Sequence, residues 1–273
     1  MRPPFKWPGG KTKMLPALTY GLPAKIGLYC EPFVGGGALF FQLALEGRFK
    51  KAIINDANDE LINAYRCIWR SLPALLVQLS RHQYNEAYYY KTRDAFNEYR
   101  KDDRRHNNDV AQAARFIYLN KTCFNGLWRV NKEGFFNVPF GKYVNPTICD
   151  EDNLREVSRL LQSIEVTFCS GDFASVMANK PGKNDVVYCD PPYDDVSTKK
   201  TKSFTRYAGE FGWQDQVALS SWPCWTIATN ADTKRIRHLY RKHDIEVVKM
   251  ARAINSVAAG RKKVNELIIR RKR

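Results

Sequence analysis

Residues that organise metal centres or disulfide frameworks are scarce. Four histidines (His82, His106, His238, His243) and seven cysteines (Cys30, Cys67, Cys123, Cys149, Cys169, Cys189, Cys224) are scattered, and no two cysteines stand at C-x-x-C spacing. That spacing argues against a zinc site, so no metal is expected. An odd number of isolated thiols fits a reducing compartment, and a cytoplasmic location is expected. Long apolar runs are missing as well, and the mean hydropathy is −0.48, so no bilayer span and no membrane partner are expected. The segment Met1-Arg2-Pro3-Pro4-Phe5-Lys6-Trp7 carries an early charge with no apolar stretch behind it, unlike a secretory signal. Internal repeats and low-complexity tracts are absent.

Acidic residues are in deficit. Asp plus Glu number 28 against 44 for Lys plus Arg, a formal net charge of +16. Such an excess points to a polyanionic partner, with nucleic acid favoured. Two nucleotide-binding signatures are incomplete. Gly10-Lys11-Thr12 has the ending of a phosphate loop, but the required leading glycine is Phe5 and no strand precedes it. Gly35 and Gly37 open a G-x-G-x-x-G run whose sixth position is Phe40, which favours a smaller nucleoside ligand over a dinucleotide.

With 44% hydrophobic and 26% charged residues, the 273-residue chain has the composition of a folded protein. Short apolar runs at 27–31, 52–56, 164–168, 185–190 and 225–229 read as strands, and 38–44 as a helix, so that strand, glycine turn, helix and strand form a βαβ unit. Residues 245–248 and 264–269 read as an antiparallel edge. Between these α/β halves the pattern changes. Leu61, Ile62, Tyr65, Ile68 and Trp69 recur at helical spacing, Pro73 can open another helix, 81–105 is helical, and Asp109 can cap a helix through Leu119. Residues 128–138 read as a β-hairpin with Gly134 at the turn. The chain is thus one open α/β sheet interrupted by a module at 58–155.

Three motifs carry chemistry. Glu31-Pro32-Phe33-Val34-Gly35-Gly36-Gly37 follows the first strand, where glycines admit a ligand to the backbone and a helix N-terminus follows. Asp56, at the end of the next strand, is placed to accept hydrogen bonds from ribose hydroxyls. In Phe5-Lys6-Trp7-Pro8-Gly9-Gly10-Lys11, Trp7 can stack on an adenine ring and Lys11 can reach a carboxylate. The most informative run is Asp190-Pro191-Pro192-Tyr193, at the carboxyl end of a strand. A base amine is a poor nucleophile because its lone pair is delocalised into the ring. A carboxylate and an adjacent carbonyl can each accept one amine hydrogen and free that lone pair, while Tyr193 offers a flat face to the base.

Taken in order, these three motifs resemble those of DNA adenine-N6 methyltransferases that carry a target-recognition insert between the cofactor and Asp-Pro-Pro-Tyr motifs. The resemblance extends over about residues 5–270 and is nearest the Dam type, which modifies adenine in GATC. Its most discriminating stretches are Asn125-Gly126-Leu127-Trp128-Arg129, Phe136-Asn137-Val138-Pro139-Phe140-Gly141-Lys142-Tyr143, and Arg261-Lys262-Lys263-Val264. It implies a Rossmann-like, S-adenosylmethionine-dependent α/β methyltransferase sheet in two parts, 1–57 and 156–273, with a helical and β-hairpin DNA-recognition insert at 58–155. It implies that Trp7, Lys11, Glu31, Phe33, Gly35, Gly37, Asp56 and Asp190 bind the cofactor, and that Asp190, Pro191, Pro192 and Tyr193 act on the amine of a flipped adenine. It also implies that Lys6 and Arg129 read guanines, that Leu127 and Pro139 meet thymine methyls, that Phe124 wedges into the duplex where the family has tyrosine, and that Lys121, Asn125, Lys142 and Ser197 contact DNA.

Lysines and arginines group on the hairpin (Lys121, Arg129, Lys132, Lys142), after the Tyr193 motif (Lys199, Lys200, Lys202, Arg206) and before the last strand (Arg261, Lys262, Lys263), as phosphate contacts would require. Four features depart from the pattern: Pro8 for alanine, a large Trp128, Asn230-Ala231-Asp232, and Val257-Ala258-Ala259. Monomeric action on double-stranded DNA is the expectation, and a free-standing regulator, a restriction-modification partner and a phage-borne enzyme would look alike in these residues. Cytosine-N4 chemistry, another adenine site, an RNA substrate, and a basic DNA-binding protein with an idle site stay open on the residues alone.

Overall fold

The computed structural model describes residues 1–101, 109–176, 182, 184–194, 211–223, 226–251 and 263–272. Outside them lie Ser197, Lys199, Lys200, Lys202, Arg206, Trp225, Arg261, Lys262, Val257-Ala258-Ala259 and the 102–105 end of the expected long helix.

Apolar runs in the two α/β halves form a seven-stranded sheet: β1 (Leu28–Glu31), β2 (Lys51–Asp56), β3 (Glu165–Ser170), β4 (Val186–Cys189), β5 (Ile227–Ala231), β6 (Asp244–Ala251) and β7 (Lys263–Arg270), in the order β3-β2-β1-β4-β5-β7-β6. The first five run parallel, and all four residues of β4 are buried, as expected of a strand covered on both faces. β7 turns back antiparallel between β5 and β6, so the expected 245–248/264–269 pair is present, with its second strand also hydrogen-bonded to β5. Strand order reverses between β1 and β4. Open α/β sheets bind ligands at the carboxyl ends of strands flanking such a switch point.

Local chemistry sets the helices. In the first half, α1 (Leu15–Thr19) has proline in its first turn, and α2 (Ala38–Leu45) follows Gly37. Next, α3 (Asp59–Arg70) is capped by the Asn58 side chain, which accepts from the N–H groups of Glu60 and Leu61. Pro73 lies in the first turn of α4 (Leu72–Ser80). Asn85 caps α5 (Glu86–Tyr99), and Asp109 caps α6 (Val110–Thr122) by accepting from Gln112 N–H at 2.7 Å. After α7 (Glu151–Gln162) come α8 (Trp213–Ser221) and α9 (Lys234–Leu239), the last capped by Thr233. α3 packs on β2 and β3 and also on α4, α6 and α7. One buried apolar cluster accordingly runs from sheet residues such as Tyr29 and Ile54 through Ile117 and Leu119 to Trp128 and Phe136.

The 128–138 hairpin is less regular than expected. Its arms join through a single antiparallel bridge, Val130 with Phe136, flanked by the Asn131 N–H to Phe135 O and Asn137 N–H to Arg129 O bonds. Side chains take up much of the remaining backbone capacity. Asn131 Oδ1 accepts from Glu133 and Phe135 N–H, and the Asn97 amide on α5 bonds both the N–H (2.9 Å) and the carbonyl (3.0 Å) of Phe136. Asn97 thus does the work of a neighbouring strand.

Candidate active site and nucleic-acid face

The Asp190 motif begins where β4 runs out. Pro191 and Pro192 offer no N–H to continue a ladder, and side chains tie the turn down instead. Gln216 Nε2 donates to Pro192 O at 2.8 Å, Asn230 Oδ1 accepts from Asp194 N–H at 3.2 Å, and the buried Asp194 carboxylate is clasped by Arg235 and Thr233. Lys11, only 6% exposed, places its Nζ 2.8 Å from Asp190 Oδ2 and 4.9 Å from the Tyr193 ring centre. Its position is held by the Gly9 carbonyl, 2.6 Å away. Thr229, on the adjoining β5, donates to Asp190 Oδ1 at 2.6 Å, and the Tyr193 hydroxyl donates to Glu266 Oε2 at 2.8 Å. Each Asp190 oxygen keeps a further lone pair, so the carboxylate is oriented but still able to accept.

The glycine turn after β1 forms the adjoining wall. Gly35 and Gly37 have φ of 47° and 69°, which disfavours side-chain residues there. Trp7 lies on the turn: a Cβ on Gly35 would come within 2.5 Å of Trp7 Cδ1, and one on Gly36 within 3.2 Å of Trp7 Cβ. Asp56, at the end of β2, accepts from Gly35 N–H through Oδ2 and from Asn58 N–H through Oδ1, both at 2.9 Å. Burial raises its pKa to about 6 despite those two bonds. Glu31 is buried beneath the turn with its Oε2 taking the Tyr29 hydroxyl at 2.7 Å, and burial holds its carboxyl well above the ordinary range. Among the described residues nothing pairs with the buried Nδ2 of Asn58 or Oδ1 of Asn55, both within two residues of Asp56. Phe33 stacks on Phe173 at 5.3 Å and meets Phe211 edge-on, giving an aromatic border between the ends of β1 and β3.

A second face is built around residues 123–143. Lys6 and the end of α6 are latched by Asn120, whose amide bonds both Lys6 N–H (2.9 Å) and Lys6 O (2.7 Å). The Lys6 side chain lies against Gly126, where a Cβ would sit 2.6 Å from it, and its ammonium is 4.2 Å from the Tyr143 ring centre. Phe124, Asn125, Pro139 and Lys142 are exposed, and Asn125 adopts a left-handed φ of 54°. With Phe140, Gly141 and Tyr143, three of these (Phe124, Asn125 and Lys142) line an open cavity of about 310 Å³. Arg129 is half-buried and pinned across the bridge: its Nε donates to Asn137 Oδ1 at 2.8 Å and one terminal nitrogen to Asn137 O at 3.2 Å. Lys121 is also half-buried, and burial lowers its pKa to about 8 against the opposing pull of Asp150. Leu127 departs from expectation. Its side chain belongs to the apolar core at 6% exposure, because the turn at Gly126 (φ 61°) directs the following residues Leu127 and Trp128 inward. Trp128 fills the space between Trp7, Phe96, Phe116 and Phe136.

Residues 7–254, most of the chain, match the model of the D12 class N6 adenine-specific DNA methyltransferases. The chain belongs to this family. Among curated relatives, a type II methyltransferase of Lactococcus lactis subsp. cremoris is 36% identical over 98% of this chain and 95% of its own length. A DNA adenine methylase of Vibrio cholerae is 34% identical over 97% and 94%. A DNA N-6-adenine-methyltransferase of Escherichia phage P1 is 36% identical over 88% of this chain and 31% of its own length.

This D12 methyltransferase therefore uses S-adenosylmethionine to modify adenine in DNA, and its residues fit that cofactor. The Asp56 carboxylate and the unpartnered Nδ2 of Asn58 can meet hydroxyls, Trp7 and the Phe33/Phe173 pair offer flat apolar faces, and the Asp190 carboxylate lies at the adjoining strand end. Sequence reasoning missed five residues. Thr229 and Glu266 orient Asp190 and Tyr193 from neighbouring strands, and Asn137 holds Arg129. Asp172 and Phe173 follow β3 at the same edge as Asp56, and an acid directly after a strand was the available signal.

Proposed function

We propose that this D12 methyltransferase acts as a monomer on double-stranded DNA in the cytoplasm, extruding the adenine of a GATC site into the cleft at the end of β4. The observation that carries the reading is the convergence of Lys11 and Thr229 on the Asp190 carboxylate at the switch point of the sheet, with the Tyr193 ring beside Lys11. S-adenosylmethionine, when bound, supplies the methyl group on a positively charged sulfur. Trp7, Lys11, Glu31, Phe33, Gly35, Gly37 and Asp56 hold it, with the glycine turn admitting it to the backbone. Asp190 and the Pro191 carbonyl each accept one hydrogen of the adenine amine, which draws the nitrogen toward tetrahedral geometry and exposes its lone pair. Pro192 stiffens the turn, and Tyr193 stacks on the base.

Residues 58–155 recognise the site. Arg129 and Lys6 suit guanine O6 and N7, and Pro139 suits a thymine methyl. The exposed Phe124 stacks where the extruded base leaves a gap. Asn125, Lys121, Lys142 and Ser197 contact the strand around it. Leu127, at 6% exposure, would have to turn outward to meet the other thymine methyl. Support for GATC comes from the likeness of the 125–143 stretch to the Dam type. The test is methyl transfer from labelled S-adenosylmethionine to duplexes carrying GATC, with matched duplexes altered at one position each. Label on GATC alone supports the whole reading; label on several sites keeps the chemistry and removes the GATC assignment; label on RNA alone removes both.

A further inference from the structure

The tip of Tyr193 has a partner that the Asp-Pro-Pro-Tyr motif does not contain. Its hydroxyl donates to Glu266 Oε2 at 2.8 Å, and Glu266 lies on β7, at the opposite end of the chain from the glycine motifs. The ladders fix where that carboxylate stands. Glu266 is in register with Ala231 on β5 and with Val248 on β6, so two neighbouring strands hold its backbone. Its side chain takes no part in those ladders, and the apolar residues that follow, Leu267, Ile268 and Ile269, anchor the strand in the core.

We propose that Glu266 is a positioning residue that sets the plane of the Tyr193 ring against the target adenine. The inference rests on the proposed stacking of Tyr193 on that base. A stacking ring must hold its face at a defined angle, yet the χ2 torsion of tyrosine has a broad well. The hydroxyl oxygen is the atom farthest from the backbone, so a bond there restrains χ1 with the longest lever. It lies on the χ2 axis itself, and the ring plane is biased because a phenolic O–H conjugates with the ring and prefers to lie in its plane, so that the direction of the donated hydrogen turns the ring. An O–H to carboxylate bond is among the stronger hydrogen bonds available for this purpose. The Lys11–Asp190 pair borders the same ring, with Lys11 Nζ 4.9 Å from its centre. Tyr193 is thereby held between the amine-binding carboxylate and a strand outside the parallel part of the sheet. β7 takes on a second task beyond closing the sheet edge.

The test is a double-mutant cycle in the full-length enzyme, with Glu266→Ala, Tyr193→Phe and the pair, reading kcat and KM for DNA, S-adenosylmethionine binding, and the fluorescence of 2-aminopurine placed at the target adenine. Glu266→Ala is expected to lower kcat about tenfold to a hundredfold through misplacement of the ring. Cofactor binding should stay unchanged, and the 2-aminopurine signal should shift toward that of an unstacked base. Tyr193→Phe lacks the hydroxyl, so adding Glu266→Ala to it should change nothing further. Glu266→Gln keeps an acceptor and should stay within about threefold of the parent. Equal losses from Glu266→Ala in the tyrosine and phenylalanine backgrounds would overturn the inference, as would a Gln variant as impaired as the Ala variant. If the parent enzyme transfers no methyl group to DNA adenine, the underlying reading of the site fails instead.

Discussion

Asp56→Asn offers a test of how the cofactor wall is built. In the folded protein both Asp56 oxygens accept backbone N–H groups, yet burial raises the carboxyl from 3.8 to about 6. That shift corresponds to ~3 kcal/mol between the two protonation states. The folded-state pKa lies above the unfolded one, so the native state holds this proton more tightly. The associated stability is fully present below about pH 4 and is lost as pH rises through about 6. Asparagine cannot titrate, and its NH2 must confront either the Gly35 or the Asn58 N–H, a loss of ~1–3 kcal/mol. Below about pH 4 the parent should therefore be the more stable protein by that amount. By pH 7.5 the ~3 kcal/mol charge penalty should have erased or reversed the difference. Urea unfolding of both proteins without ligand, at steps from pH 4.5 to 8, measures this directly. A stability difference that stays constant over that range would show that Asp56 is not the buried, proton-retaining group described, and would refute the reasoning. Parent affinity for S-adenosylmethionine should run the other way, rising with pH through about 6 as the carboxylate becomes available to hydroxyl donors.

Asp190→Ala should reduce methyl transfer more than about a thousandfold in a protein that still folds, with a lowered unfolding midpoint because the buried Lys11 loses its partner, and a folded variant of normal rate would remove Asp190 from the mechanism. Arg129→Ala should relax discrimination at one guanine by ~1–3 kcal/mol, measured as the ratio of kcat/KM on GATC and on a singly substituted duplex; an unchanged ratio would take it off the list of base readers. Gly35→Ala places a methyl 2.5 Å from the Trp7 indole at a φ of 47°, so intrinsic tryptophan fluorescence should shift and cofactor affinity should drop. An unaltered emission spectrum with normal affinity would show that Trp7 does not depend on that glycine. Trp128→Ala should destabilise the fold by ~3–5 kcal/mol, read by thermal or denaturant unfolding, since its ring is 2% exposed among Trp7, Phe96, Phe116 and Phe136.

Strands and helices were legible where their signals are local. The Asp109 cap, the proline start of α4, the glycine turn after β1 and the apolar run of β4 all stand where the residue pattern places them. The 128–138 hairpin is present, and its short ladder was not legible because that depends on a competitor elsewhere in the chain. Asn97, on α5, satisfies the backbone of Phe136 in place of a longer ladder. The burial of Leu127 was not legible for a related reason: an apolar residue in a turn can face outward or into the core, and the left-handed Gly126 turns it inward. That Lys11 would reach a carboxylate was readable from residue type, and which carboxylate was not.

By itself the sequence determines the periodicities, the caps, the order of the motifs and the sign of the charge, because each depends on residues within a few positions of one another or on simple sums. It also contains the amine-binding tetrapeptide complete. Tertiary structure decides which distant residues meet. Topology brings Lys11 to Asp190, lays Trp7 over Gly35, runs β7 back beside β5 so that Glu266 reaches Tyr193, and lets Asn137 pin Arg129. The physical reason is that burial and backbone hydrogen bonding select among packings of the whole chain, and a side chain's partners follow from the packing that satisfies most of them at once.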